Sequence, residues 1–242
     1  GTPGISFALD DSISWQNGHQ MVGNNIAGYS GIMLSLVERG IPATVTSLRY
    51  LDSVEDLAGV KVLILCYDTV KPQSEKVNEV IAQWVKQGGT LLYIGGKNDY
   101  DNINTEWWFA KNQTPYENLL QHLGLTDVQT GDMEFAVDAY QWAGPAGYGD
   151  SFNNPDAIFP NNAIEYTNIY TGIGFNPILT IDDKTFGFES EVGDGHIVSV
   201  GLPSSYFAAN VEGPDQIRDL VEYATTFTDV SYTETDMMLV QR

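Results

Sequence analysis

The sequence predicts an α/β protein on a doubly wound, mainly parallel sheet, and three observations predict it. Residues 60–68 and 90–94 are short apolar runs rich in β-branched and aliphatic side chains, the pattern of strands buried on both faces. Between them Val77, Val80, Ile81, Trp84 and Val85 recur at i, i+3, i+4, i+7, i+8, the spacing of a helix with one apolar face. Strand, helix and strand within residues 60–96 make a βαβ unit, whose strands run parallel through a right-handed crossover.

The other elements follow in chain order. Residues 5–9 form a first strand that ends in Asp10-Asp11-Ser12. Residues 21–38 read as a helix with Ile26, Tyr29, Met33, Leu36 and Val37 inward, stopped by Gly40. Residues 43–48 are a second strand, and Ser53 caps a short helical turn over 53–57. The order β, α, β, β, α, β is that of a doubly wound sheet. After Gly96 the pattern breaks: residues 97–113 are polar and aromatic, and 115–125 read as a helix carrying Leu119, Leu120 and Leu123. Residues 131–176 have no helical period and much Gly, Pro, Asn and Tyr, which predicts a decorated excursion with short strands. Order returns with a hairpin of 177–181 and 185–189 turning at Asp182-Asp183-Lys184, then a strand over 196–201 and a helix over 214–227 with Ile217, Leu220, Val221 and Ala224 inward. Residues 1–230 read as one domain, and 231–242 as a terminal strand that could begin another.

Composition narrows the partners. With 11 basic residues against 32 acidic ones the net charge is −21, so there is no basic footprint for nucleic acid or an anionic membrane. Neutral ligands such as sugars, or cations, fit better. No apolar run reaches the ~20 residues of a membrane span, which argues against membrane insertion. One cysteine, Cys66, excludes a disulfide framework and a multi-cysteine zinc site. Few lysines beside much Gly, Asn, Thr, Tyr and Trp lean towards an exported or cell-surface bacterial protein.

Ligands of doubly wound sheets gather beyond the carboxyl ends of the strands. That edge collects the candidate cleft residues Asp10, Asp11, Trp15, Tyr67, Asp68, Gly95, Gly96, Asn98, Asp99, Trp107, Trp108, Ser204 and Tyr206. Asp10, Asp11, Asp68, Asp99 and Asp101 raise the question of a glycosidase acid/base pair. In a chain this acidic such residues more often cap helices and fill turns, and that reading is favoured; their clustering at one sheet edge adds the expectation of a polar cleft. Residues 97–108 lack the Gly and terminal Glu of a calcium loop, and Gly95-Gly96 opens no phosphate-binding helix, so no metal and no cofactor are expected. Cys66 has no histidine near it in sequence and reads as a buried thiol. Trp107, Trp108 and Tyr100 are expected to serve in sugar stacking or an intersubunit contact, with one tryptophan in and one out.

The strand over 5–9 followed by Asp10-Asp11-Ser12-Ile13-Ser14-Trp15, the helix containing Tyr29, the strand over 61–65, the phrase WVKQGGTLLYIGG over 84–96 and GHIVSVGLPSSYF over 195–207 carry a resemblance. Together they resemble the class I glutamine amidotransferase-like domain that serves family forty-two β-galactosidases as a trimerisation domain. The resemblance implies a flavodoxin-like, three-layer sandwich. Catalytic relatives place a cysteine after the strand matching 90–94, where this chain has Gly95-Gly96-Lys97. They place a histidine, with a glutamate two residues on, after the strand matching 196–200, where this chain has Leu202-Pro203-Ser204-Ser205. Both positions are lost, so the resemblance implies a domain that is itself non-catalytic. The expected function is a module of a bacterial glycoside hydrolase, packed against a neighbouring domain or a sister subunit. In that setting Trp15, Asn98, Trp107 or Tyr206 would lie at the rim of a sugar cleft. An autonomous hydrolase using Asp10, Asp11 and Asp68, and a free-standing sugar-binding protein, are the alternatives.

Overall fold

A computed structural model describes residues 4–10, 24–68, 70–96, 106–134, 141–153 and 166–234. The strands of the first half form where the apolar runs lie: β1 (Ile5–Leu9), β2 (Thr44–Ser47), β3 (Val62–Leu65) and β4 (Thr90–Ile94). They alternate with α1 (Asn24–Glu38) and α2 (Glu75–Lys86), and α3 (Pro115–Leu123) follows. The second half supplies β5 (Val128–Glu134), β6 (Gln141–Trp142), β7 (Tyr166–Gly172), β8 (Asn176–Ile181), β9 (Lys184–Val192), β10 (Gly195–Val200), α4 (Ser204–Ala209) and α5 (Gly213–Thr225).

One ten-stranded sheet unites them in the order β2-β1-β3-β4-β10-β9-β7-β5, with β8 pairing β9 and β6 pairing β8. The pairs from β2 to β10 are parallel, and those from β10 through β9 and β7 to β5 are antiparallel. The sheet is therefore mixed rather than mainly parallel. The span read as an excursion contains much of the difference, since β7 and most of β5 lie within it and extend the sheet. Its polar strand residues hid this: Thr167 and Asn168 are buried in β7 without an apolar alternation to announce the strand.

Side chains alternate between two cores. Ile5, Phe7, Ile64, Leu92, Val198 and Val200 pack against α1, α4 and α5, while Ala8, Leu63, Leu65, Leu91, Tyr93 and Ile197 pack against α2 and α3. The three layers are thus helix, sheet, helix. α2 buries Val77, Val80, Ile81, Trp84 and Val85, as its spacing predicts. At α3, Thr114 accepts the Glu117 N–H at 3.1 Å and the Glu117 carboxylate accepts the Thr114 N–H at 2.9 Å, a complete capping box before a Pro at the first turn.

α1 is rotated from the sequence reading. Its inward residues are Ile32, Ser35 and Leu36, whereas Met33 and Val37 face outward at 38% and 44% exposure. Apolar residues surround this helix, so the period does not single out a face, and the small residues decide it. A Cβ on Gly31 would sit 2.4 Å from the Ser204 carbonyl oxygen, which places α1 directly against the start of α4. The side chains of Ile26 and Tyr29 lie outside the described residues.

Candidate functional site

The carboxyl edge is where the sequence places a cleft, and buried polar ties hold it together. β3 runs into Cys66, Tyr67 and Asp68, and β4 into Gly95 and Gly96. Asp68, 5% exposed, accepts the backbone N–H groups of Gly96 and Ser204 through one carboxylate oxygen, each at 3.0 Å. From β7, the Asn168 amide donates to the carbonyls of Gly95 at 3.2 Å and Gly96 at 3.0 Å, and its backbone N–H donates to the Gly201 carbonyl at 2.8 Å. The two glycines are held from both sides. Buried polar groups of this kind stabilise only when they are paired, and here their partners are the chain itself.

Beneath lies a second network. The Tyr67 hydroxyl donates to Asn78 Oδ1 at 2.5 Å, and the Asn78 amide donates to the Pro115 carbonyl at 2.9 Å and to Asn118 Oδ1 at 3.0 Å. The Tyr116 hydroxyl meets Ser199 Oγ at 2.6 Å, and Tyr170 meets the same oxygen at 3.1 Å. Tyr93 stacks on Tyr116 with ring centroids 3.9 Å apart. Burial pushes the Tyr67, Tyr93 and Tyr116 phenols well up and Tyr170 to about 12, with Asp68 adding to the rise at Tyr93. These are neutral hydrogen-bonding groups, not proton donors for chemistry near neutral pH. The crevice among Tyr67, Asp68, Gly96, Tyr116, Glu117 and Asn168 offers about 30 Å³, room for roughly two water molecules and far short of a sugar ring.

The other candidates are placed as follows. Asp10 is 5% exposed at the end of β1. Trp108 is 2% exposed, and Trp107 is half-buried with its indole N–H donating to the Pro72 carbonyl at 2.9 Å. Neither tryptophan stands out as a free stacking platform. Ser204 and Tyr206 are both 2% exposed, and Ser204 opens α4. The Tyr206 hydroxyl accepts from Asn210 at 3.0 Å and Gln216 at 3.2 Å, so this side chain belongs to the α4–α5 joint and not to a rim. Cys66 is buried, at 1% exposure. Asp11, Trp15, Asn98 and Asp99 lie outside the described residues, as do Tyr100 and Asp101.

Sequence reasoning missed Asn168, Asn78 and Asn118. Asn78 had a signal: it sits on the inward face of α2 among Val77, Val80 and Ile81, where an amide needs partners. It also missed a cluster on the outer side of α2 and α3. There Glu75 meets Lys111 at 2.5 Å, Asn118 at 3.0 Å and His122 at 2.9 Å, and these bonds hold its carboxyl down to about 2.

No family model and no curated protein matches the chain. Solved structures do. A β-galactosidase from Rahnella sp. R3 matches with a TM-score of 0.55 at 15% identity, over 94% of this chain and 31% of that one. Gan42B, a GH42 β-galactosidase from G. stearothermophilus, matches with 0.50 at 12%, over 93% and 30%. The exo-β-1,4-mannosidase Op5Man5 from Opitutaceae bacterium strain TAV5 matches with 0.51 at 13%, over 95% and 36%. The chain shares its fold with one region of these enzymes and spans about a third of their length.

Proposed function

We propose that the chain is a non-catalytic domain of a carbohydrate-processing protein of the glycoside hydrolase kind, working by packing against a neighbouring domain or a sister copy. The carrying observation is coverage: nearly the whole chain, 94%, superposes on 31% of the Rahnella β-galactosidase. The mannosidase match extends the fold to an enzyme named for a different sugar, so the sugar cannot be read from the fold.

The carboxyl edge supports this reading from the chemical side. Asp68, the carboxylate that follows β3, is committed to two backbone N–H groups, and the crevice beside it is water-sized. Asp11, Trp15, Asn98 and Asp99 are the remaining candidates for a sugar-facing rim.

The test combines sedimentation of the isolated chain, a glycan array and nitrophenyl glycoside assays on one sample. A defined oligomer without turnover or glycan binding supports a packing domain. Turnover that Asp10→Asn or Asp68→Asn abolishes while the fold persists would make the chain a hydrolase. A monomer that binds a glycan would make it a recognition module.

A further inference from the structure

α2 and α3 lie side by side on the outer face of the sheet and bring three metal-binding side chains together. Glu75 and Glu79 are one turn apart on α2 and therefore project from the same side, and His122 reaches across from the last turn of α3. One ligand atom from each lies within 4.8 Å of the other two. We propose that Glu75, Glu79 and His122 form a site for one divalent transition cation of the zinc type, with its remaining coordination positions open to water.

The spacing of His122 and Glu75 is near what such an ion needs, and Glu79 stands within reach. Zinc bonds to imidazole nitrogen and carboxylate oxygen are ~2.0–2.2 Å, which sets tetrahedral ligand atoms roughly 3.3 Å apart. His122 Nε2 and Glu75 Oε1 are 2.9 Å apart, so this pair opens by a few tenths of an ångström and trades its shared proton for the metal. Glu79 is exposed and meets Lys76 only loosely, at 3.7 Å, so its carboxylate can swing in without disturbing the core.

The outer contacts of a ligating carboxylate are already in place, since Lys111 holds the other oxygen of Glu75 and Asn118 bonds the ligand oxygen. The helices are strapped together by the Asn78–Asn118 bond at 3.0 Å and by Lys86 Nζ on the His122 carbonyl at 2.7 Å. Ligands on packed helices hold their geometry better than ligands on loops. An imidazole with two carboxylates selects zinc, cobalt or nickel over calcium and magnesium, which prefer oxygen alone. The ammonium groups of Lys111 and Lys76 oppose a cation, so the expected affinity is micromolar rather than that of a closed structural site.

The experiment is calorimetric titration of the metal-free protein with Zn²⁺ near neutral pH, repeated with Co²⁺ to read the ligand field by visible absorption. The expected result is one ion per chain and a raised melting temperature. Glu79→Gln should weaken binding at least about tenfold while the metal-free melting temperature stays unchanged, because Glu79 is a surface residue. His122→Gln should remove the cobalt bands. Absence of saturable binding, or equal affinity in both variants and the wild type, would overturn the proposal.

Discussion

Asp68 and Ser204 are 136 positions apart in the chain, yet a carboxylate oxygen of the first accepts the backbone N–H of the second at 3.0 Å, and the same oxygen accepts that of Gly96. One side chain thereby joins the end of β3 to the end of β4 and to the first turn of α4. Asp68→Ala leaves two buried N–H groups without their acceptor, each worth about 1–3 kcal/mol, so a loss of about 3 kcal/mol is expected. Asp68→Asn keeps an acceptor oxygen and should lose only about 1 kcal/mol. Urea unfolding of both variants checks this, and equal small losses would show that water substitutes for the carboxylate.

Asn78 offers a second test, because it serves three partners from two other segments: the Tyr67 hydroxyl, the Pro115 carbonyl and Asn118. Asn78→Ala strands all three in the interface between α2 and α3. The expected cost is about 3 kcal/mol in chemical denaturation. Tyr67→Phe removes one bond and should cost about 1 kcal/mol. A larger loss for Tyr67→Phe than for Asn78→Ala would mean that the phenol, not the amide, organises the network.

The parallel half of the fold was legible because burial on both faces writes itself as unbroken apolar runs, as at Leu63, Ile64 and Leu65. The antiparallel half was half-legible. The β8–β9 hairpin turns at Asp182, a residue with φ of +51°, where the acidic turn residues predict it. β7 carries Thr167 and Asn168 into the interior, and a polar residue with a buried partner looks like a loop residue until the partner is known. The same physics limits the site. The aspartates at strand ends were readable, but whether a carboxylate faces a ligand or a backbone amide depends on Gly96 and Ser204, which sequence spacing does not bring together.

Glu75 gives the stability of the chain a signature in acid. Its bonds to Lys111, Asn118 and His122 lower its carboxyl from 4.5 to about 2. A folded value below the unfolded one stabilises above the unfolded value and loses that contribution as pH falls towards the folded one. The window is therefore from 4.5 down to about 2. With the side chain 29% exposed, solvent screening leaves about 1 kcal/mol. Glu75→Gln should be less stable than the wild type by that amount at neutral pH and equal to it at the acid end. A constant difference across the titration would assign the effect to lost shape and not to charge.

The excess of acid, −21 over the whole chain, should make salt a stabiliser of this fold. Like charges gather in the hollow where Asp215, Asp219, Glu222 and Glu234 lie around Arg218. The guanidinium answers only part of it: Arg218 meets Asp215 at 2.9 Å and Asp219 at 3.1 Å. Partial burial raises the Glu222 carboxyl; Arg218 pulls it back, while Asp219 and Glu234 push it further up. A raised folded value means that the ionised form opposes folding, a cost that is full above the folded value and is lost as pH falls to the unfolded one, 4.5. Glu222→Gln should therefore stabilise the protein by a few tenths of a kcal/mol at neutral pH and low salt. Screening lengths fall from about 30 Å at 0.01 M to about 3 Å at 1 M, so the part of the gain that comes from Asp219 and Glu234 should fade at high salt, the part that comes from burial should stay, and the wild-type melting temperature should climb. Melting curves in sodium chloride, read beside curves in a neutral osmolyte, separate the two sources of stabilisation. A wild type indifferent to sodium chloride, or a gain in Glu222→Gln that is the same at about 0.01 M and 1 M, would show that burial alone, without Asp219 and Glu234, sets the balance in this hollow.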